Sequence, residues 1–124
     1  MPDSSPEHPV TESIAAAPQP ARDVLAGWRA RALELEPSAA EGVSYGMPAL
    51  RYRGRPLIAV AATAAGYSVY PFSPAVIEAA APLLGGLTRS KGAVAFTDAR
   101  PLPREAFDAM LLARRAEIDA ALDR

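Results

Sequence analysis

Three strand-like segments follow one another between residues 49 and 71, and the turns between them are short. Leu50 and Tyr52 alternate with Arg51, and this spacing is typical of a strand that buries one face. The segments LIAVAA and YSVYP come next, after the turns RGRP and AAG. Strands joined by such short turns pair with each other in antiparallel fashion, so this stretch predicts a β-meander.

Helical patterns precede and follow the meander. The segment from Pro20 to Pro37 carries apolar residues at helical spacing. A second helix is predicted from Ser73 to Gly86, because serine and glycine are common at helix starts and ends. The strand KGAVAFT and a last helix in PLPREAFDAMLLARRAEIDAALDR complete the chain. The predicted order is α-β-β-β-α-β-α, an α+β sandwich whose mainly antiparallel sheet of four to five strands is flanked by helices.

The composition narrows the classes of function. The chain has 124 residues, a net charge of −1 and no cysteine, so we expect one domain without disulfides, thiolate metal sites or a cysteine nucleophile. The charge balance does not favour nucleic acid or a membrane surface, and no signal peptide or membrane-spanning segment is recognisable. We therefore expect a cytoplasmic protein with a disordered tail at residues 1–9 and a single domain at residues 10–124.

The sequence GVSYG, centred on Ser44, has the Gly-x-Ser-x-Gly pattern of the nucleophile elbow in α/β-hydrolases. That elbow needs a helix directly after the serine, but Pro48 disfavours helical angles in the residue before it. It also needs a histidine base, and the single histidine, His8, lies in the predicted tail. We therefore expect no enzyme of this class. Instead, Gly42 and Gly46 are expected to provide turn angles, and the Ser44 hydroxyl to form a local hydrogen bond.

Three blocks of the sequence resemble the signature blocks of the YdhG-like domain family, in the same order and spacing: VSYGMPALRYRGRPLIAVAA, YPFSPAVIEAAAPLL and TRSKGAVAFTDARPLP. The resemblance runs from about Thr11 to the C-terminus. The family is placed in the YjbR/CyaY-like superfamily, so the resemblance implies a frataxin-like sandwich and carries over no catalytic residue. One branch is described as an intracellular iron chaperone, which implies weakly bound iron and a protein partner in iron–sulfur cluster assembly.

The resemblance to frataxin also implies where iron would bind. Frataxin-type iron handling uses carboxylates on the first helix and the sheet edge, which hold the metal weakly through hard oxygen ligands. Arginines are interleaved with the corresponding acids here, so an ordinary solvated helix face is the alternative interpretation. The candidate metal ligands are Asp23, Glu34, Glu36 and Glu41.

A second candidate site is a shallow cleft formed by the segments SYGMP, YP and TRSKG. Tyrosines offer an apolar ring with one polar tip, and the basic residues, serine hydroxyl and backbone N–H groups of TRSKG suit an anion. The alternatives are a core position for Met47, a plain helix-to-strand connector at Lys91 and a structural ion pair for Arg114. The residues of this candidate site are Ser44, Tyr45, Met47, Pro48, Tyr70, Ser90, Lys91 and Arg114.

These patterns favour a non-enzymatic binding module. It is either an iron chaperone or iron–sulfur assembly adaptor, or alternatively a small-molecule or anion-binding domain. Arg51 and Arg53 are predicted on one strand face, an arrangement that some single-strand-binding sheets use. However, acids outnumber basic residues, 14 to 13, and no RNA-binding motif is present. A solvated face or a protected sheet edge is therefore expected, with no nucleic-acid partner.

Overall fold

The computed structural model describes residues 8–124. The expected disordered tail at residues 1–9 therefore falls largely outside the described residues, and Pro9 is already the first residue of a helix. The described residues pack around one hydrophobic core. They form an α+β sandwich with a five-stranded antiparallel sheet, which confirms the predicted fold class.

Four helices and five strands make up the described part of the chain. The helices are α1 (Pro9–Ala16), α2 (Ala21–Leu35), α3 (Pro74–Ala80) and α4 (Arg104–Leu122). The strands are β1 (Ala40–Ser44), β2 (Met47–Tyr52), β3 (Arg55–Thr63), β4 (Gly66–Tyr70) and β5 (Val94–Phe96). A single 3-10 turn at Ala81–Leu83 follows α3. None of these helices is long and apolar enough to cross a membrane.

Each strand pairs antiparallel with the next strand in the chain, so the sheet order is β1-β2-β3-β4-β5. The first two hairpins close through two-residue turns in which both residues have positive φ. The angles are 51° and 76° at Tyr45 and Gly46, and 52° and 79° at Arg53 and Gly54. This is type I′ geometry, which usually places asparagine, aspartate or glycine first, so the tyrosine and the arginine are under backbone strain.

The helices pack against one face of the sheet. Leu50, Ile58 and Val69 of the strands belong to the same buried cluster as Phe107 of α4. Trp28 of α2 packs against α4 within the helix layer, and its ring centroid lies 4.5 Å from that of Phe107. An aromatic pair of this kind adds about 0.5–1.5 kcal/mol beyond the area it buries, so this contact helps to fix α2 against α4.

The opposite face of the sheet carries no helix among residues 8–124. Ala49 and Ala59 alternate with Leu50 and Ile58, and neither alanine joins the helix-facing cluster, although both are buried. We call this surface the helix-free face. From the strand register and the alternation of side chains, its residues are Ala40, Gly42, Ser44, Met47, Ala49, Arg51, Pro56, Ala59, Ala61, Thr63, Gly66, Ser68, Tyr70 and Ala95.

Two elements are added to the predicted order. Helix α1 precedes the first predicted helix, and Thr11 fixes it by donating its backbone N–H and its hydroxyl to Glu41. Strand β1 forms in the segment AEGVS, which lacks an alternating pattern. All five of its residues pair with β2, so pairing with a neighbouring strand defines this element.

The predicted helix at residues 73–86 is shorter in the structure. It begins as expected, with the Ser73 hydroxyl accepting the backbone N–H of Val76. It ends at Ala80 and gives way to the 3-10 turn that contains Pro82. Proline has no N–H and crowds the preceding turn, so the α-helical pattern cannot continue through it.

Gly42 has a different role from the one expected. It lies inside β1 opposite Ala49 and forms no part of a turn. A Cβ atom at Gly42 would lie 2.7 Å from Cδ of Arg51, so the glycine makes room for the arginine side chain. Gly46, in contrast, has the positive φ of a turn residue, as expected.

Candidate functional site

Two aromatic side chains meet at the surface beside the helix-free face. The ring of Tyr45, in the β1–β2 turn, stacks on the ring of Phe72, just after β4, with centroids 5.7 Å apart and planes 22° from parallel. Because β2 and β3 lie between β1 and β4, the contact joins two segments that are not neighbours in the sheet. We call this pair the aromatic clip. Tyr45 is still 84% exposed, so most of its surface is open to another molecule.

Both members of the clip have an unusual backbone conformation. φ is 51° at Tyr45 and 59° at Phe72. The left-handed region costs a non-glycine residue about 1–2 kcal/mol. Residues held in this way concentrate at functional sites, so the two angles mark the clip as a candidate site.

Ser44, directly before the clip tyrosine, has a buried hydroxyl. The residue is 8% exposed, and its Oγ has no hydrogen-bond partner among the described residues. The prediction of a local hydrogen bond is therefore wrong. Ser44 ends β1, and its side chain lies on the helix-free face opposite Met47. A two-residue turn and β2 follow it in place of a helix, so the geometry of a nucleophile elbow is not formed.

The other predicted cleft residues near the clip divide between the two faces. Met47 and Tyr70 are half-buried on the helix-free face. Pro48 alternates with Met47 and lies on the helix side, where it lines a cavity of about 30 Å³ between α1, α2 and the sheet. The structure therefore brings Ser44, Met47 and Tyr70 to the helix-free face and leaves Pro48 on the other, with Tyr45 in the turn that follows β1.

Arg51 is the charged residue of the helix-free face. Its Nη2 donates to the carbonyl oxygen of Gly54 at 2.6 Å. Its Nε is buried and has no hydrogen-bond partner among residues 8–124. The helix-free face thus carries two polar groups that have no hydrogen-bond partner in the described part of the chain, the Ser44 hydroxyl and the Arg51 Nε–H.

The segment TRSKG lies at a different place. The Ser90 hydroxyl accepts the backbone N–H groups of residues 92 and 93 at 3.3 and 3.2 Å, so these amides are engaged inside their own turn. Ser90 and Lys91 line an open depression of about 810 Å³. Its other walls include Glu78 and Arg89, which pair at 3.5 Å. The amides that an anion cradle requires are therefore already used by the turn.

Arg114 connects α4 to the start of β3. Its Nε donates to the carbonyl oxygen of Pro56 at 3.0 Å, and its Nη1 donates to Glu117 at 3.2 Å. Glu117 also accepts the hydroxyl of Ser73 at 2.8 Å. This arrangement is the structural ion pair that was the alternative to a role as a cleft wall.

Glu41 is the most buried of the four candidate metal ligands. Its side chain is 5% exposed and accepts Arg29 Nε at 2.9 Å, together with the N–H and hydroxyl of Thr11. Burial alone raises the pKa of Glu41, but the hydrogen bonds from Thr11 and Arg29 outweigh it, so the pKa lies below its ordinary value. The carboxylate is thus committed to fixing α1 and α2 against β1.

The other three candidate acids have separate partners. Glu36 accepts Ser38 and Arg115, and the hydrogen bond from Ser38 is the main reason that the pKa of Glu36 is lowered. Asp23 accepts the amide of a glutamine, and Glu34 lies 3.5 Å from Arg31. In residues 8–124 no group of three or more histidine, aspartate and glutamate residues is placed to hold a metal ion. The structure does not bring the four acids together.

The two arginines predicted on one strand face are separated. Arg53 belongs to the β2–β3 turn, so it leaves the strand alternation that Arg51 follows. It donates to Asp119 at 2.9 Å and to Asp123 at 2.8 Å. The hydroxyl of Tyr52 also donates to Asp119 at 2.7 Å, and this bond, reinforced by Arg53, lowers the pKa of Asp119. The charge of Arg53 is therefore neutralised on the helix side.

Phe72 is the site residue that sequence reasoning missed. The sequence did carry a signal, because Phe72 is a large apolar residue between Pro71 and Ser73, in a segment that regular structure cannot extend through. Its partner across the sheet depends on the fold and was not accessible from local sequence.

No protein-family model matches the sequence, and the comparison with curated proteins gives no match. Among solved structures, a DUF1801-family protein, YdhG from Bacillus subtilis, is similar to this chain, with a TM-score of 0.79 at 13% sequence identity. The superposition covers 90% of this chain and 91% of that chain. A likeness at this level of identity concerns the fold. The chain therefore has the α+β fold of a DUF1801 protein of the YdhG type.

Proposed function

We propose that this chain is a non-enzymatic, cytoplasmic binding domain of the YdhG-like family, and that its ligand surface is the helix-free face beside the aromatic clip. The observation that carries the proposal is Tyr45, which is 84% exposed at a strained turn position and stacks on Phe72. A side chain this exposed adds little to the core. Contact with another molecule accounts for a bulky aromatic residue at this strained position.

The side chains around the clip suit binding better than catalysis. The Ser44 hydroxyl contacts no histidine or carboxylate among the described residues. A serine without a neighbouring base is a weak nucleophile. Met47 and Tyr70 supply polarizable and aromatic surface, which packs against ligands of varied shape.

An iron-chaperone role, which the resemblance to the frataxin-related branch implies, is the second proposal. Its support is the α+β sandwich itself. Iron at the candidate acids would have to displace Arg29 from Glu41 and Arg115 from Glu36, and each of these pairs already satisfies its carboxylate. We therefore place the ligand, and any protein partner, at the helix-free face.

Two-dimensional amide NMR of the labelled protein tests the two proposals together. A library of small fragments at millimolar concentration is expected to shift the amides of residues 44–49 and 68–72. Anaerobic Fe(II) is expected to leave the amides of Glu36 and Glu41 in place. The binding proposal is contradicted if no fragment shifts the helix-free face, or if all shifts map to residues 87–92. Localised Fe(II) shifts at the two glutamates would favour the iron-chaperone role.

A further inference from the structure

The hydroxyl of Ser44 needs a partner that residues 8–124 do not provide. It is buried, faces the helix-free side of the sheet and has no hydrogen bond among those residues. Buried polar groups in folded proteins are almost always hydrogen-bonded, and an exception calls for a specific cause. A ligand atom that completes this hydrogen bond is such a cause.

The clip supplies an aromatic surface directly next to that hydroxyl. Tyr45 follows Ser44 in the chain, so the ring is carried by the turn that begins where the hydroxyl lies, at the end of β1. The contact with Phe72, at 5.7 Å between centroids, leaves Tyr45 84% exposed. Aromatic rings attract other flat rings by offset stacking, and this attraction tolerates many ring types.

The charge of the face limits the ligand further. Arg51 is the single charged residue in the set that defines the helix-free face, and its Nε–H has no partner among the described residues. A positively charged ligand would meet this guanidinium without a compensating acid from that set. The Arg51 Nε–H and the Ser44 hydroxyl both donate hydrogen bonds, so the matching ligand offers acceptors.

The geometry points to a site at Ser44 and the aromatic clip for a planar aromatic ligand that is neutral or negatively charged. Its ring stacks on Tyr45, and an acceptor atom at the ring edge takes the hydrogen bond of the Ser44 hydroxyl. This inference rests on the proposed function, because it uses the same face, and it adds the chemical class of the ligand.

The test uses 2-naphthoate as the planar probe and decahydro-2-naphthoate as its control, which has the same charge and carbon skeleton without the flat ring. Binding to the full chain is followed by amide NMR. We expect 2-naphthoate to bind with a Kd on the order of 1 mM, as small fragments do, and to shift residues 44–49. Decahydro-2-naphthoate is expected to bind at least about fivefold more weakly, because it cannot stack.

Two variants assign the contacts. Ser44→Ala is expected to weaken 2-naphthoate binding about fivefold to tenfold, the usual effect of losing one hydrogen bond. Tyr45→Asn removes the ring and places a favoured residue in the turn, so the fold is retained, and it should weaken binding by at least about fivefold. Ser13→Ala, at an exposed position of α1 outside the helix-free face, is the matched control and should leave the Kd unchanged.

Equal binding of the two probes, or undiminished binding by Ser44→Ala and Tyr45→Asn, would overturn the inference. If other fragments shift the helix-free face while 2-naphthoate does not, only the ligand class is wrong. If no compound of any shape shifts that face, the proposed function itself is wrong.

Discussion

Ser44 and Ser73 are buried to nearly the same degree, 8% and 7% exposed. Of these two hydroxyls, that of Ser73 is hydrogen-bonded, and that of Ser44 has no partner within residues 8–124. The Ser73 hydroxyl donates to Glu117 at 2.8 Å and accepts the backbone N–H of Val76 at 3.3 Å. It therefore caps α3 and ties this helix to α4. Ser44 has no such structural role, which is why we place it in a binding site.

Alanine at these two positions should have opposite effects on stability. We expect Ser73→Ala to lower the free energy of unfolding by about 1–2 kcal/mol, because it removes a helix cap and a partly buried hydrogen bond. Ser44→Ala should leave it unchanged or raise it by up to about 1 kcal/mol, since an unpaired buried hydroxyl is removed. Urea unfolding followed by the fluorescence of Trp28, the single tryptophan, measures both. Equal losses in the two variants would argue against an unpaired Ser44 hydroxyl.

The first positions of the two type I′ turns provide a second matched pair. Tyr45→Asn relieves about 1 kcal/mol of backbone strain and loses a largely exposed ring contact, so we expect the midpoint of thermal unfolding to stay level or rise. Arg53→Asn relieves the same strain but breaks the ion pairs to Asp119 and Asp123, so its midpoint should be the lower of the two. Calorimetry that finds Tyr45→Asn the less stable variant would show that the tyrosine has a structural role.

Two glycines should respond to alanine in opposite directions. Gly66 has φ +146°, and a Cβ there would lie 2.7 Å from the backbone oxygen of Phe96, so Gly66→Ala should cost about 2–3 kcal/mol. Gly27 lies within α2, and a Cβ there would meet no atom within 4 Å, so Gly27→Ala should gain up to about 1 kcal/mol. Chemical denaturation of both variants checks this contrast. A neutral Gly66→Ala would mean that β4 and β5 are not packed as closely as described.

The ion pair between α2 and α4 makes a pH-dependent contribution to the stability of the fold. Arg31 donates to both carboxylate oxygens of Asp108, at 2.9 and 2.6 Å, and this hydrogen bonding holds the pKa of Asp108 below its ordinary value. A carboxyl group whose pKa is lower in the folded state stabilises the fold at any pH above its unfolded-state pKa of about 3.9. This stabilisation is lost as the pH falls through the folded-state pKa.

We therefore expect Asp108→Asn to be less stable than the parent protein at pH 7, and the difference to shrink as the pH falls below about 4. Urea midpoints between about pH 7 and about pH 2.5 measure this. Glu105→Gln, at an exposed site in the first turn of α4, is the control and should give a small, flat difference. A difference for Asp108→Asn that stays constant with pH would contradict the role of the ion pair.

The meander was predictable because its signals are local. Leu50 and Tyr52 alternate with Arg51, and Gly54 stands in the turn that follows. Strand β1 was not predictable in this way, since it is defined by five residue pairs with β2 and its own residues show no alternation. The α3 prediction extended too far because the glycines at its expected end are a weaker constraint than Pro82, which stops the α-helix earlier.

The candidate site was predicted only in part, because residue type is a local signal and contacts between distant segments are not. Tyr45 and Tyr70 were singled out by residue type, and the fold places Tyr70 on the helix-free face and Tyr45 in the turn after β1. Phe72 was missed because its contact Tyr45 belongs to the β1–β2 hairpin, which β3 separates from β4 in the sheet, and local sequence does not reveal such a contact. The Ser90 hydroxyl closes its own turn, a use that residue type alone does not distinguish from anion binding.

The most direct measurement compares two methionines, Met47 on the helix-free face and Met110 in the core, which is 0% exposed. The protein is labelled with ¹³C at the methionine methyl groups, and the Met47 resonance is assigned with Met47→Leu. Fragments are then titrated while the methyl spectrum is recorded. If the helix-free face binds ligands, the Met47 methyl resonance shifts in a saturable way and the Met110 resonance stays in place. Bound fragments that leave the Met47 resonance unmoved would contradict a ligand surface on this face.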